Sequence, residues 1–135
     1  MNDNISDKPV QCDVCFRHCI LSEGQTGFCH ARVNKNGTVR PSCYGEVTSL
    51  ALDPIEKKPL YHFYPGSMIV SVGGFGCNLA CPFCQNVEIS LADGREYEGP
   101  VRHISPKELA ILCRHHQKDG NIGVAFTYNE PLIHC

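Results

Sequence analysis

The sequence lacks three features that would assign it to common functional classes. Its 135 residues carry a net charge of -2, so charge gives no argument for binding nucleic acid or an anionic membrane surface. No run of about 18 apolar residues is present, which predicts that no helix spans a membrane. The start, MNDNISDKPVQ, is polar and has no apolar stretch typical of a signal peptide. We therefore expect a cytoplasmic protein with neither nucleic acid nor membrane among its partners.

What the sequence has in excess is cysteine, with ten in 135 residues. In a reducing cytosol, such an excess is more typical of metal binding or redox chemistry than of disulfides. Two groups and three isolated positions can be distinguished, and two groups predict two separate sites. The groups are Cys12, Cys15, Cys19 and Cys29, then Cys77, Cys81 and Cys84; the isolated positions are Cys43, Cys113 and Cys135.

The first half of the chain divides into three segments. Residues 1–11 are expected to form a flexible tail. Residues 12–45 are expected to form a Cys-rich metal-binding head, because a segment with so few apolar residues needs metal for stability. Within the head, the pair Asn36-Gly37 predicts a hairpin turn. Residues 46–66 contain three prolines and are interpreted as an extended connector with little regular structure.

Residues 67–135 are predicted to contain one βαβ unit of an α/β sheet. The apolar run 67–72 predicts a strand and 123–131 a second one. Between them a helix begins at Ser105, which with Pro106 and Glu108 forms a capping box. The cysteine loop and the TYNE segment each follow a strand, so we expect them to lie together at the carboxyl edge of the sheet.

A single βαβ unit leaves unpaired sheet edges. We therefore expect this chain to be part of a longer one, or to need another chain.

The spacing C-x3-C-x2-C from Cys77 to Cys84 offers three thiolates rather than four. A structural zinc site needs four ligands. A 4Fe–4S cluster has four irons, so three thiolates leave one iron open to bind a substrate or cosubstrate. This loop therefore predicts a reactive cluster, although the spacing by itself leaves zinc open.

These motifs resemble those of a known family. The three cysteines, with Phe83 before the last, resemble the signature of radical S-adenosylmethionine (SAM) enzymes. DPIEKKPLYHFYPGS, SVGGFGCNLACPFCQNVEIS, SPKELA and FTYNEP resemble the radical SAM enzymes of the AmmeMemoRadiSam system, which are relatives of pyruvate formate-lyase activating enzyme. CDVCFRHCILSEGQTGFCHAR resembles the Cys-rich head of the same group, so the likeness extends over residues 12–134.

The resemblance implies a fold and a mechanism. The family fold is a partial (β/α) barrel of about six repeats, of which this chain would supply the N-terminal part after the Cys-rich segment. The reduced cluster passes one electron to the SAM sulfonium, and the resulting 5′-deoxyadenosyl radical abstracts hydrogen from a substrate. The protein supplies ligation, orientation and exclusion of water.

The resemblance also implies roles for individual residues. Cys77, Cys81 and Cys84 would hold the cluster. Glu130 would bind the amino group of SAM, because a carboxylate suits an ammonium charge. Weaker candidates around the cofactors are Thr127, Tyr128, Asn129 and Phe83, together with Gly73, Gly74 and Gly76, where backbone can approach closely.

Several features keep alternative interpretations. Cys12, Cys15, Cys19 and Cys29 fit a closed four-thiolate site that would hold zinc or an accessory Fe–S cluster. His18 and His30 are expected to face solvent rather than replace a thiolate. Lys57 and Lys58 are interpreted as part of a solvated charged turn. Cys113 is predicted to be a core residue on the apolar face of the helix.

Partners and rival functions complete the expectations. A radical SAM enzyme needs a one-electron donor resembling flavodoxin or ferredoxin, and its substrate is a small molecule or a companion protein. Kinship with activating enzymes suggests formation of a glycyl radical. The rivals are a zinc-stabilised binding module without redox chemistry and a truncated remnant that binds a cluster but does not cleave SAM.

Overall fold

The computed structural model of the chain describes residues 8–92 and 97–134. Its contacts group into two compact units, each built from separated stretches of sequence. The cysteine unit comprises Met1–Tyr44, Gly74–Glu98 and Asn129–Cys135, and the sheet unit comprises Gly45–Gly73 and Gly99–Tyr128. The consecutive segments expected from the sequence do not describe this grouping, because the chain passes four times from one unit to the other.

The cysteine unit is built from short elements. Strand β1, Val10–Gln11, pairs antiparallel with β2, Ile20–Leu21. Strand β3, Arg32–Lys35, pairs antiparallel with β4, Thr38–Pro41. Helix α1 spans Val87–Ser90, and a 3-10 helix spans Pro131–His134. The flexible tail predicted for residues 1–11 is wrong at its end, since Val10 and Gln11 are paired; residues 1–7 lie outside the described residues.

The predicted hairpin is confirmed. Asn36 and Gly37 connect β3 to β4 with φ angles of 54° and 72°, so both lie in the left-handed region that a two-residue turn of this type needs. A small apolar core supports the unit. Phe75, 1% exposed, lies edge-on to Tyr97 with ring centroids 5.1 Å apart. The other members of this core are Cys29, Ala31, Cys43, Ile133 and Ala92.

The sheet unit contains a three-stranded sheet in the order β6-β7-β9. Its elements in chain order are β5, Glu46–Val47; β6, Ser49–Pro54; a 3-10 helix, Ile55–Lys57; β7, Met68–Gly73; β8, Arg102–His103; α2, Pro106–His115; a 3-10 helix, His116–Asp119; and β9, Asn121–Phe126. Strand β6 runs antiparallel to β7, β7 runs parallel to β9, and β5 pairs separately with β8. The predicted order of strand, helix and parallel strand is confirmed, whereas the barrel stays a prediction.

The connector predicted for residues 46–66 is wrong, because β5, β6 and a 3-10 helix lie within it. Leu50 and Leu52 alternate with Ala51 and Asp53, which is the pattern of a strand with one apolar face. Pro54 ends the strand and therefore interrupts no hydrogen bond inside it. The prolines that suggested a connector mark the end of β6 and the loop after it.

Helix α2 begins as predicted. Ser105 Oγ accepts from the N–H of Glu108 at 3.3 Å, and Glu108 Oε2 accepts from the N–H of Ser105 at 2.8 Å. Its apolar face packs against the Val70 and Val72 side of the sheet through Leu109, Leu112 and Cys113. Gly120, with φ of 85°, closes the 3-10 turn that follows. The next residue, Asn121, opens β9 two residues before the predicted start.

Among residues 8–92 and 97–134, none of the helices has both the length and the apolar character needed to cross a membrane.

Candidate functional site

The turn that leads into Cys77 depends on two glycines. Gly76 has φ of 72°, and a Cβ there would collide with the carbonyl oxygen of Cys29. At Gly74, a Cβ would lie 3.0 Å from Cε1 of the His134 ring. A side chain at either position would displace the Cys29 backbone or the half-buried His134 ring. The sequence around GGFG therefore fixes where the chain places Cys77.

The three cysteines of the predicted cluster loop differ in exposure. Cys77 is buried, Cys84 is half-buried and Cys81 is exposed. The N–H of Cys84 donates to the carbonyl oxygen of Cys81 at 3.1 Å, so these two residues share one turn. The Cys84 Sγ lies 3.3 Å from Oγ of Ser90, a buried hydroxyl on α1. The loop thus runs from a buried thiol at Cys77 through an exposed one at Cys81 to a half-buried one at Cys84.

Two residues of the TYNE segment reach this loop. Asn129 Nδ2 donates to the carbonyl oxygens of Gly74 and Gly76, at 2.9 and 2.8 Å. The N–H of Glu130 donates to Sγ of Cys77 at 3.4 Å. The predicted proximity of the two segments is confirmed for Asn129 and Glu130. Their role toward SAM stays a prediction.

The carboxylate of Glu130 is partly engaged. Its Oε1 accepts from the N–H of Leu132 at 3.2 Å, which caps the 3-10 helix Pro131–His134. Glu130 is half-buried, so its carboxylate keeps access to solvent. A carboxylate has two oxygens and about four acceptor sites, and this contact uses one of them.

The other predicted cofactor residues lie in different surroundings. Phe83, between Cys81 and Cys84, is 82% exposed. Tyr128 belongs to the sheet unit, where its hydroxyl donates to Asp53 Oδ2 at 2.7 Å. Thr127 donates its N–H to the carbonyl oxygen of Val72, as a continuation of the β7–β9 pairing. The hydroxyl of Tyr128 is therefore committed to the protein.

Asp53 is the centre of a polar cluster that sequence reasoning missed. Asp53 is 5% exposed. Its carboxylate accepts hydrogen bonds from four side chains at 2.7 to 2.9 Å. Burial alone would raise the pKa of Asp53, but these donors outweigh it and hold the pKa well below its usual range. The four donors are Lys57, Lys58, Ser71 and Tyr128.

The interpretation of Lys57 and Lys58 as a solvated charged turn is therefore wrong for Lys58, whereas Lys57 is exposed as that interpretation expects. Lys58 Nζ lies 2.9 Å from Asp53, its side chain is only 12% exposed, and it also lies over the Tyr128 ring at 4.7 Å. Lys57, 58% exposed, pairs with the same carboxylate at 2.8 Å. Lys58 turns inward because strand β6 carries the buried carboxylate of Asp53.

The four cysteines of the head also lie in the cysteine unit. Cys12 and Cys29 are buried, whereas Cys15 and Cys19 are half-buried. The N–H of Cys12 donates to the carbonyl oxygen of Cys19 at 2.8 Å. Burial raises the pKa of the Cys29 thiol, backbone N–H groups of Ala31 and Arg32 lower it, and nearby Cys12 and Cys15 raise it further. Cys12, Cys15 and Cys29 are thus electrostatic neighbours.

The head contacts the cluster loop directly. Arg17 Nε donates to the carbonyl oxygen of Asn78 at 2.6 Å, and its guanidinium lies 3.5 Å from the centroid of the Phe28 ring. The close approach of Gly76 to the Cys29 carbonyl is a second contact. The two cysteine groups therefore occupy one compact unit, which their separation in sequence did not indicate.

The donor set fits an iron–sulfur cluster in its chemistry. Thiolates are the usual ligands of such clusters, and each thiolate binds a separate iron, so the sulfurs need not converge on one point. The Cys77 sulfur already accepts an N–H, as cluster thiolates commonly do. Within residues 8–92 and 97–134, no group of three or more His, Cys, Asp or Glu side chains is arranged around a single metal ion.

Three functional residues had weak signals in the sequence. Asp53 is an acidic residue at the end of an otherwise apolar strand, and Arg17 is the only arginine within CFRHC. His134 is the last residue of the 3-10 helix Pro131–His134 and is half-buried; desolvation lowers its pKa, as does the charge of Arg32. None of the three belongs to a spacing pattern, so only the fold assigns their contacts.

The chain matches a longer relative along almost all of its length. It is 42% identical over 132 residues to the uncharacterized protein MJ0808 of Methanocaldococcus jannaschii. The match includes 98% of this chain and 38% of that relative, so the chain spans well under half of the length of the protein it resembles. No family model matches the chain. No solved structure matches it either.

Proposed function

We propose that the chain carries the cluster-binding part of a radical SAM enzyme, with the β7–α2–β9 unit as the start of a (β/α) barrel. The observation that supports this most is the pairing of the Cys77 sulfur with the N–H of Glu130. It joins the two sequence motifs that resemble the family, CNLACPFC and TYNEP, at one thiol. The long match to a larger relative accords with further barrel strands in a longer protein.

In this proposal the three thiolates of Cys77, Cys81 and Cys84 hold a 4Fe–4S cluster. When bound, such a cluster with SAM supplies reductive cleavage of the sulfonium and hydrogen abstraction. The buried Cys77 anchors one side of the site, and the exposed Cys81 leaves the other side accessible. Because only three thiolates are present, one coordination position is kept for the cosubstrate.

The chain's own residues bind and orient SAM. The Glu130 carboxylate attracts the ammonium group of the methionine part, since an acidic acceptor pairs best with a cationic donor. Gly74 and the Asn129 side chain, which binds the Gly74 carbonyl, fix the backbone turn that leads into Cys77. Phe83 supplies an exposed aromatic surface beside the loop, and Tyr128 contributes through its backbone, because its hydroxyl serves Asp53.

We propose a second metal at the head, held by Cys12, Cys15, Cys19 and Cys29. The electrostatic proximity of Cys12, Cys15 and Cys29 and the N–H groups directed at the Cys29 sulfur support a thiolate site there. Four thiolates suit an accessory Fe–S cluster or zinc, but zinc would require the four sulfurs to move together, because in the described residues they do not converge on one ion. We also propose a flavodoxin- or ferredoxin-like electron donor and hydrogen abstraction from a companion protein or a small molecule. We propose a cytoplasmic location, because so many cysteines without an export signal are more typical of metal binding in a reducing compartment.

The test is anaerobic reconstitution with iron and sulfide, followed by quantification of iron, acid-labile sulfide and zinc. We expect replacement of Cys77, Cys81 or Cys84 by Ser to lower the iron and sulfide content by four each per chain, the number in one 4Fe–4S cluster. Cys113→Ser is the matched control, because Cys113 lies on α2 in the sheet unit. Zinc alone, unaffected by changes at Cys77, would overturn the proposal in favour of a zinc-stabilised module.

A further inference from the structure

The side chain of Asn129 spans the turn before Cys77. Its Nδ2 lies 2.9 Å from the carbonyl oxygen of Gly74 and 2.8 Å from that of Gly76. These carbonyls flank Phe75, so one amide group closes the turn from both sides. A backbone turn held at two carbonyls has little freedom to rotate, because rotation of either peptide breaks a hydrogen bond of the half-buried Asn129 side chain.

His134 holds Asn129 from behind. Its Nε2 lies 3.1 Å from Asn129 Nδ2, and its Nδ1 lies 3.8 Å from Sγ of Cys43. The His134 ring packs so closely against Gly74 that it leaves no room for a Cβ there. The two hydrogens of Asn129 Nδ2 are directed at the Gly74 and Gly76 carbonyls, so the His134 ring restricts the position of the amide by close contact and not by a third hydrogen bond. The amide of Asn129 is therefore oriented from two directions.

The position of Asn129 determines where the N–H of the next residue, Glu130, points. Glu130 follows Asn129 directly, and its N–H lies 3.4 Å from Sγ of Cys77. Cys77 in turn follows Gly76, whose carbonyl Asn129 binds. The Asn129 amide thus holds Asn129 and Glu130 against Gly76 and Cys77, so that the N–H of Glu130 meets the sulfur of Cys77. If the amide is lost, both the turn and the Glu130 N–H are free to move.

We propose that Asn129 is a positioning residue that keeps the Glu130 N–H on the Cys77 sulfur and thereby raises the reduction potential of the cluster. The part about the potential rests on the proposed function, whereas the part about position does not. A hydrogen bond to a cluster thiolate withdraws negative charge, which favours the reduced cluster. Asn129 acts on the protein backbone and needs no contact with SAM for this role.

The first measurement is the hydrogen-exchange rate of the Glu130 amide, monitored by NMR in the chain without metal. In the wild type we expect slow exchange, because the N–H is bonded to sulfur. Asn129→Ala is expected to accelerate it at least tenfold. Asn121→Ala is the matched control, since Asn121 also bridges backbone groups, Val70 N–H and Cys113 C=O, but in the sheet unit.

The second measurement is the midpoint potential of the reconstituted cluster, determined by a redox titration in which EPR detects the reduced cluster. We expect Asn129→Ala to lower the ratio of reduced to oxidised cluster at a fixed potential about tenfold, equivalent to about -59 mV for one electron. Asn121→Ala is expected to leave the ratio unchanged.

The outcomes separate the two proposals. Fast exchange of Glu130 in the wild type, or an exchange rate that Asn129→Ala does not change, overturns the positioning role whether or not a cluster forms. Accelerated exchange with an unchanged potential overturns the effect on the cluster. If the wild type binds no cluster, the proposed function fails, and with it the effect on potential, while slow wild-type exchange that Asn129→Ala accelerates still supports the positioning role. Fast wild-type exchange overturns the positioning role even if Asn129→Ala does not fold.

Discussion

The carboxylate of Asp53 accepts a 2.7 Å hydrogen bond from the hydroxyl of Tyr128, 75 residues later in the chain. The bond joins the DPIEKK and TYNEP motifs inside the sheet unit. Tyr128 is the residue directly before Asn129, where the chain enters the cysteine unit. The two motifs therefore depend on each other structurally, which accounts for an aspartate on the buried polar face of β6.

Replacing Asp53 by Ala should destabilise the chain by about 3 kcal/mol, because Lys58 would keep a buried, unpaired charge. Asp53→Asn retains an acceptor for Ser71 or Tyr128 and should cost less. Urea unfolding of the three proteins measures the difference. Lys57→Ala is the control on the exposed member of the same cluster and should cost less than about 1 kcal/mol. Equal costs for Asp53→Ala and Lys57→Ala would contradict a buried ion pair.

The same carboxylate predicts an acid limit to stability. The pKa of Asp53 in the folded state is well below its usual range, whereas in the unfolded chain it is about 3.9. Below about pH 4 the unfolded state therefore binds the proton first, and the stabilisation by Asp53 declines until the pH falls below the folded-state pKa. The difference in unfolding free energy between wild type and Asp53→Asn should be constant from pH 5 to 7 and shrink toward pH 3. A difference that does not change with pH would be inconsistent with this assignment.

Gly76→Ala should be far more damaging than Gly37→Ala. Both glycines have φ of 72°, so each alanine carries the left-handed strain of about 1 kcal/mol. A Cβ at Gly37 meets nothing within 4 Å, whereas at Gly76 it collides with the Cys29 carbonyl. We expect Gly76→Ala to cost at least about 3 kcal/mol. Similar melting temperatures for the two variants would mean that the head does not approach the cluster loop at Gly76.

Arg17→Lys should loosen the loop that follows Cys77. Lysine keeps the charge but loses the Nε–H that binds the Asn78 carbonyl and the planar group that stacks on Phe28. The expected cost is about 1 kcal/mol, with faster hydrogen exchange in residues 78–84. Arg40→Lys on the exposed side of β4 is the control. If exchange in the loop is the same in both variants, Arg17 does not connect the head to it.

Local signals predicted the local structure well. The capping box fixed the start of α2, because Ser105 and Glu108 satisfy each other's N–H groups without help from the rest of the fold. The Asn36-Gly37 turn likewise needs only two residues that accept positive φ. Proximity of Asn129 and Glu130 to the cysteine loop followed from strand order.

Nonlocal contacts limited the rest. Strand β6 was hidden by Pro54 and the prolines after it, and Asp53 gains its meaning only when Ser71 and Tyr128 arrive from other strands. The inward direction of Lys58 follows from the same carboxylate. The shared unit of the two cysteine groups depends on Arg17 and Gly76, which belong to no cysteine spacing. Such contacts are set by tertiary packing, which propensity and spacing do not encode.

The measurement that tests the central claim most directly is EPR of the anaerobically reconstituted and reduced protein, with and without SAM. The account predicts a reduced 4Fe–4S signal that requires Cys77, Cys81 and Cys84 and changes when SAM is added, because one iron has no protein ligand. A signal that SAM does not change would contradict an open coordination position in this chain. Absence of any cluster signal, with zinc bound instead, would contradict the radical SAM assignment itself.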